Sequence, residues 1–91
     1  MESILQYDKV CYVPGQRKGL EKHHIFGGNP NRKISEREGF WVWLTPEHHR
    51  GPQGAHNNRD LDLRLKQTCQ LAYEETHSRE EFRKMMGKSW L

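Results

Sequence analysis

Residues 20–49 read LEKHHIFGGNPNRKISEREGFWVWLTPEHH, and this stretch decides the fold class. Apolar and polar side chains alternate over residues 20–26, which is typical of a short strand, and the turn formers at 27–31 end it. Residues 40–44 are aromatic or aliphatic and are followed by Thr45-Pro46, so they form the most strand-like segment of the chain. The stretch therefore predicts two strands joined by a turn-rich connection.

The residues before this stretch predict more extended structure. Between residues 4 and 13, short apolar runs alternate with polar residues and end at Pro14-Gly15. This pattern is typical of a short strand or strand pair that ends in a turn.

The C-terminal third has helical periodicity. Ser78 and Glu81 form an S-x-x-E capping box that begins one helix, and Gly87 ends it. Residues 90–91 are expected to pack back on the body of the protein. Before the capping box, mostly apolar residues recur every three or four positions, and this spacing predicts a helix over residues 59–75. These residues are Leu61, Leu65, Cys69, Ala72 and Thr76.

Composition limits both the core and the class of protein. The chain has 91 residues, of which 33% are hydrophobic, so we expect one small domain with a thin core. It has no apolar run near the roughly 18–20 residues of a membrane span, and its N-terminus lacks the layout of a signal peptide. We therefore expect a cytoplasmic protein without membrane contact. Two cysteines are too few for a disulfide scaffold, whereas six histidines make a metal ion the first candidate for extra stabilisation.

Positive charge is concentrated in one part of the chain. Residues 15–37 contain six basic side chains against two acidic ones, a local net charge of +4, whereas the whole chain carries +3. Such a region would suit a polyanion, and a merely solvated basic loop is the alternative. The six are Arg17, Lys18, Lys22, Arg32, Lys33 and Arg37.

Five of the six histidines lie between residues 23 and 56, namely His23, His24, His48, His49 and His56. Any one of them could be a hydrogen-bonded core residue. Imidazole, however, both binds borderline metals and accepts a proton near neutral pH, so a cluster can supply ligands and a base. Because successive strand residues point to opposite faces, His23 and His24 need different roles if both are functional.

Together these segments resemble the small HNH nucleases of phages and prophages. The resemblance is carried by LEKHHIFGG (20–28), FWVWLTPEHH (40–49), GAH (54–56), LKQ (65–67), EF (81–82) and GKSWL (87–91). It implies an α+β fold of the ββα-metal type, in which a hairpin and a helix enclose one divalent ion. An N-terminal extended segment and a C-terminal helix would complete a single domain over residues 1–91. Its core motif would span residues 20–60 and its helical part residues 59–91.

The resemblance also implies roles for the histidines. His23, His49 and His56 would be the metal ligands, and His24 would be the general base that takes a proton from water. The resulting hydroxide would attack a phosphodiester of DNA while the metal stabilises the leaving 3′ oxygen. All-imidazole ligation favours zinc, nickel or a similar ion over magnesium, so that among Zn, Ni, Mn and Mg a transition metal is favoured. Arg50 would join the six basic residues in contacting phosphates, and the nuclease could act as a homodimer.

The chain departs from the family's pattern at two sites. Members with a structural zinc knuckle have four cysteines, and the matching positions here are Cys11, Pro14, Thr45 and His48. At most a vestigial knuckle is expected, with Cys11 and His48 as its possible ligands, because a closed zinc site needs four. The signature's middle asparagine is also missing, since Phe40 stands near its place. Four residues could replace it: Asn29, Asn31, Asn57 and Asn58.

Three functions remain open at this level. The chain could be a metal-dependent DNA endonuclease. It could be a degenerate HNH scaffold that captures a nucleic acid, a nucleotide or a host defence protein without cutting. It could also be a zinc-stabilised structural module. The missing knuckle favours the second and third functions, whereas the retained His23-His24 pair favours the first, because a scaffold needs no unliganded base beside a ligand.

Overall fold

The computed structural model describes residues 1–13 and 17–91 as a small α+β fold. In chain order the elements of these residues are β1 (Glu21–His24), α1 (Asn31–Glu38), β2 (Trp41–Leu44), α2 (Pro46–Arg50), α3 (Arg59–Tyr73) and α4 (Arg79–Met86). The α+β class, the two strands and the two C-terminal helices predicted from the sequence are confirmed. None of the helices in the described ranges is long and apolar enough to span a membrane.

The two strands form an antiparallel pair. His23 lies opposite Val42, and His24 lies opposite Trp41. His23 and Val42 are both buried, whereas His24 is half-buried on the other face of the pair. The alternation of strand side chains therefore sends the two adjacent histidines into different surroundings.

The connection between the strands contains α1, a helix that the sequence analysis did not predict. Its sequence NRKISERE has one aliphatic residue, Ile34, so it carries no periodic apolar stripe. The helix is held by a polar contact, because the buried Ser35 hydroxyl donates to the Phe26 carbonyl at 2.9 Å and accepts from the Phe26 N–H at 3.3 Å. Gly39 ends it with φ +76°, and a Cβ there would collide with the carbonyl of Glu2.

A second unpredicted helix, α2, carries two of the histidines. It has five residues, too few for a periodic pattern, and it begins with Pro46 after Thr45. Thr45 Oγ1 accepts from the His48 N–H and so caps the helix. Proline suits the first helical position because a backbone N–H there would have no partner within the helix. His48 and His49 therefore lie on a helical turn rather than in a loop.

The prediction of a strand or strand pair over residues 4–13 is wrong. This segment runs irregularly along the free edge of β2: the Tyr12 N–H donates to the Trp43 carbonyl at 2.8 Å, and the Ile4 N–H donates to the Gly39 carbonyl at 3.0 Å. Between them the Trp43 N–H donates at 2.6 Å to the side chain of Gln6 rather than to a backbone carbonyl. A side chain thus interrupts what would be a ladder. The expected turn at Pro14-Gly15 lies outside the described residues.

The core lies among the strand pair, α3 and α4. The capping box at the start of α4 is confirmed: Ser78 Oγ accepts from the Glu81 N–H, and Glu81 Oε1 accepts from the Ser78 N–H, both at 3.0 Å. Trp90 packs on the core as expected, but Leu91 is exposed, and so is Thr76, which lies beyond the end of α3. The buried apolar residues that form this core are Cys11, Ile25, Phe26, Phe40, Val42, Leu44, Ala55, Leu65, Cys69, Phe82 and Met86.

Candidate metal centre

Three histidines from three separate segments meet beside the strand pair. His23 comes from β1, His49 from α2, and His56 from the turn between α2 and α3. One ring nitrogen of each lies within 4.8 Å of those of the other two, and the Nε2 atoms of His49 and His56 are 2.9 Å apart. Among the residues that the structure describes, this is the one group of three or more side chains that could hold a metal ion.

His23 is the buried member of this cluster. Its residue is 2% exposed, and neither ring nitrogen has a hydrogen-bond partner. Burial, followed by the nearby His49 and His56, lowers the pKa of His23 to about 3, so the ring is neutral at physiological pH. A buried polar group without a partner is costly, and a metal ion would supply the missing partner. The donor set therefore fits a divalent transition ion.

A carboxylate orients His49. Glu21 Oε1 lies 2.8 Å from His49 Nδ1, and both Glu21 oxygens also accept from the Arg50 guanidinium at 3.0 and 2.6 Å. These bonds, first that of His49 and then that of Arg50, lower the pKa of the Glu21 carboxyl. A proton on Nδ1 leaves the Nε2 lone pair directed at the cluster, as in carboxylate–histidine–metal arrangements. Burial, with His49 nearby, also lowers the pKa of His56.

The turn that carries His56 is braced by an asparagine. Asn57 Nδ2 donates to the carbonyls of Arg50 and Gly51 at 2.9 and 3.1 Å, and the His56 N–H donates to the His49 carbonyl at 3.2 Å. Of the four asparagines that could replace the missing signature residue, Asn57 is therefore the one that fixes this turn. Asn58 instead caps α3, Asn31 is the first residue of α1, and Asn29 precedes that helix by two positions.

His24 does not join the cluster but borders the cleft in front of it. Its Nε2 lies 2.9 Å from Glu36 Oε2, and Glu36 also accepts from Lys22 at 3.1 Å. The cleft has a volume of about 280 Å³. Its lining residues are Lys22, His24, Gly27, Gly28, Arg32, His49 and His56.

The positions of the expected vestigial knuckle come together without forming a ligand set. The Thr45 N–H donates to Cys11 Sγ at 3.2 Å, and Thr45 Oγ1 lies 2.9 Å from His48 Nδ1. Threonine thus links the two possible ligands through hydrogen bonds. Pro14, the remaining position, lies outside the described residues.

The predicted phosphate-binding residues divide into groups. Three of them are in ion pairs: Lys22 with Glu36, Arg37 with Glu38, and Arg50 with Glu21. Arg32 borders the histidine cleft, and Lys33 lies beside it in a shallow depression shared with His24 and Glu36. Arg17 and Lys18 are exposed. The structure thus brings Lys22 and Arg32, but not all seven residues, to the cleft that His49 and His56 line.

The sequence analysis missed Glu21 and Glu36. Glu21 pairs with His49, which is 28 positions away in the chain, and Glu36 pairs with His24, which is 12 positions away. One local signal existed for Glu21, because it stands two residues before His23 on the same strand face.

No family model, curated protein or solved structure matches this chain.

Proposed function

We propose that the chain is a divalent-metal-dependent DNA endonuclease of the HNH, or ββα-metal, type. The observation that carries this proposal is the His23, His49 and His56 cluster, which opens to a cleft that also borders His24. Three protein ligands with one side left open are typical of catalytic metal sites, whereas structural sites close with four. The antiparallel strand pair followed by a helix is compatible with the ββα arrangement that the HNH resemblance implies.

The chemistry follows from what each side chain can do in that cleft. His23, His49 and His56 would hold a divalent ion, which would supply a Lewis acid for a phosphodiester oxygen. His24 accepts a proton from the attacking water through Nδ1 while Glu36 holds its Nε2. Arg32 and Lys33 contact phosphates beside the scissile bond, because both are exposed on the first turn of α1 at the edge of the cleft.

A degenerate scaffold that captures a nucleic acid, a nucleotide or a host protein is the second candidate. Two observations favour it. Thr45 stands at a position where the resemblance implies a knuckle ligand, and it is hydrogen-bonded to Cys11 and His48 instead. In addition, Glu36 pairs with both His24 and Lys22, an arrangement that would also serve as a purely structural link between β1 and α1.

Plasmid cleavage distinguishes the two candidates. Metal-free protein reloaded with Ni²⁺, Mn²⁺, Mg²⁺ or Zn²⁺ should nick or linearise supercoiled plasmid, and EDTA should stop the reaction. His24→Ala should slow cleavage about 10²–10⁴-fold, the usual effect of losing a general base. His77→Ala is the matched control, because His77 is exposed and stacks on Tyr73 rather than bordering the cleft.

Cleavage at full rate in His24→Ala would show that the assigned base is wrong. If no metal supports cleavage of any DNA while the protein binds a nucleotide or another protein tightly, the scaffold is the function and the nuclease proposal is wrong.

A further inference from the structure

A groove on the far side of His56 has no role in the function proposed above. It lies between the first half of α3 and the residues that follow α4, and its volume is about 500 Å³. This is within the range of sites for small ligands, roughly 300–1,000 Å³. Its lining residues are Arg59, Asp60, Asp62, Leu63, Lys66 and Trp90.

The groove neighbours the histidine cleft, and residues that line a depression between them connect the two. A smaller depression of about 180 Å³ lies between them and shares Arg59 and Asp62 with the groove. The same depression shares His56 with the cleft. A single path therefore runs from Arg32, past the candidate metal centre, to Trp90.

Trp90 gives the groove a rigid aromatic wall. Its ring centroid lies 4.8 Å from that of Phe26. The backbone N–H of Trp90 donates to Gln70 Oε1 at 2.8 Å, and its backbone carbonyl accepts from Gln67 Nε2 at 2.9 Å. The residue is nevertheless only half-buried. A fixed aromatic surface that stays accessible is suited to stacking on a nucleobase.

Cations surround this aromatic wall. The Nζ atoms of Lys66 and Lys88 lie 5.9 and 5.1 Å from the centroid of the Trp90 ring, and Arg59 is exposed at the other end of the groove. Aromatic side chains interleaved with cations form the sites at which proteins bind single-stranded nucleic acid.

Two carboxylates also line the groove. Asp62 is paired with Lys66 at 2.9 Å, whereas Asp60 is exposed. Negative charge at this place disfavours the closely spaced phosphates of a duplex. Carboxylate oxygens do accept hydrogen bonds from the exocyclic amino groups of bases, so the lining fits a base edge better than a phosphate backbone.

We propose that this groove binds an unpaired nucleotide of the DNA strand whose neighbouring phosphate enters the histidine cleft. The base stacks on Trp90, Arg59 and Lys88 contact the flanking phosphates, and Asp60 accepts from an amino group of the base. The proposal rests on the nuclease function for the identity of its ligand, but binding in the groove requires neither metal nor cleavage.

Binding to the metal-free full chain is therefore the test. A short single-stranded oligodeoxynucleotide should quench tryptophan fluorescence and bind more tightly than a duplex of the same sequence. Trp90→Phe, which keeps an aromatic ring against Phe26, should remove most of the quenching. Trp43→Phe is the matched control, because Trp43 lies on β2 and not in the groove, and it should keep the quenching.

A charge-matched pair of double variants tests the cation contacts. Arg59→Ala with Lys88→Ala should lower the slope of log affinity against log salt by about 1.4, at about 0.7 per single-strand phosphate contact. Arg64→Ala with Lys84→Ala removes the same charge from exposed positions outside the groove and should leave the slope near that of the wild type.

Equal slopes in the two double variants, tighter binding of the duplex, or quenching that survives in Trp90→Phe would each overturn the proposal. Its failure is distinguishable from failure of the nuclease function. A chain that cleaves plasmid without these binding effects contradicts the groove alone, whereas a chain that shows them but cleaves no DNA contradicts the nuclease alone.

Discussion

Glu21 is the single residue on which the geometry of the metal centre depends most. It lies on β1 but bonds to two successive residues of α2, His49 and Arg50. Through the first bond it fixes the tautomer and rotation of a candidate ligand, and through the second it anchors α2 to the strand. A carboxylate in this position also raises the basicity of the imidazole as a ligand.

Replacing Glu21 with an isosteric amide should therefore weaken metal binding. We expect Glu21→Gln to lower the affinity for Zn²⁺ or Ni²⁺ about 10–100-fold, as is usual when the partner of a metal-binding histidine is lost. Competition with a chromogenic chelator measures the change. Glu36→Gln is the matched control, because Glu36 pairs with His24, which is not a ligand, and its affinity should stay at the wild-type value. Equal affinities in all three proteins would show that Glu21 does not support the site.

His23 should make the stability of the metal-free chain depend on pH. Burial lowers the pKa of His23 to about 3 in the folded state, from the ordinary histidine value of about 6.5. The unfolded chain therefore binds this proton more readily than the folded one, so the stabilisation is complete above about pH 6.5 and is lost as the pH falls. As the pH falls from 6.5 to 5, a range above the titration of most carboxyl groups, His23 should lower the free energy of unfolding by up to about 1.4 kcal/mol per pH unit.

Urea unfolding in the presence of a chelator measures this dependence. His23→Leu removes the ring whose pKa is lowered most and should reduce the slope in this range, whereas His77→Leu, at an exposed position, should retain the wild-type slope. A wild-type free energy of unfolding that is constant from pH 7 to 5 would contradict the neutral, unpartnered state of His23.

The sequence predicted some residues of the candidate site but not their hydrogen-bond partners. The concentration of histidines and the HNH resemblance named His23, His49 and His56, and the structure brings these three together. Strand alternation correctly placed His24 on the other face. For Glu21 the only local signal was its place two residues before His23 on β1, and Glu36 had none, because each pairing depends on how a helix packs against β1.

Among the elements, those with an apolar pattern or a capping box were predictable, whereas the two helices before α3, namely α1 and α2, were not. Alternation marked β1, the aromatic run marked β2, and the apolar stripe marked α3. By contrast, α1 is fixed through the buried hydroxyl of Ser35, and α2 is one turn that begins after Thr45. The Thr45-Pro46-Glu47 start is a recognisable N-cap signal for α2. Residues 4–13 have the alternating pattern of a strand but do not form one, because their contact with β2 passes partly through the side chain of Gln6.

The capping box of α4 makes a direct prediction about this element. Ser78→Ala leaves the Glu81 N–H without its acceptor and should lower the free energy of unfolding by about 1 kcal/mol. In a chain of this size, that corresponds to a decrease of about 4–8 °C in Tm. Calorimetry or thermal circular dichroism measures it.

Glu80→Gln is the control for the capping box. Glu80 is highly exposed in the same first turn, and its distance to Lys84 is 3.9 Å. Its replacement should change stability by less than about 0.5 kcal/mol. If Ser78→Ala is equally silent, the box does not contribute to holding α4 on the core.

In the whole molecule, the candidate metal centre brings together three segments that are separate in the chain. His23, His49 and His56 connect β1, α2 and the turn before α3 at one point. Since a metal ion binds the folded arrangement and not the open chain, its binding free energy adds to folding stability. A ligand concentration of about 100 times Kd would contribute about 2.7 kcal/mol. The thin core predicted from composition is thus compatible with a protein whose stability and chemistry depend on the same three side chains.

Metal stoichiometry tests this account most directly. Metal-free protein should be dialysed against zinc, separated from free ion and examined by elemental analysis. We predict about one equivalent per wild-type chain, since the three histidines form one open site. His49→Ala should retain almost none, whereas His48→Ala, the adjacent histidine on the same helical turn, should still bind about one equivalent. A wild-type chain that binds no zinc, or a His49→Ala variant that binds as much as the wild type, would contradict the account.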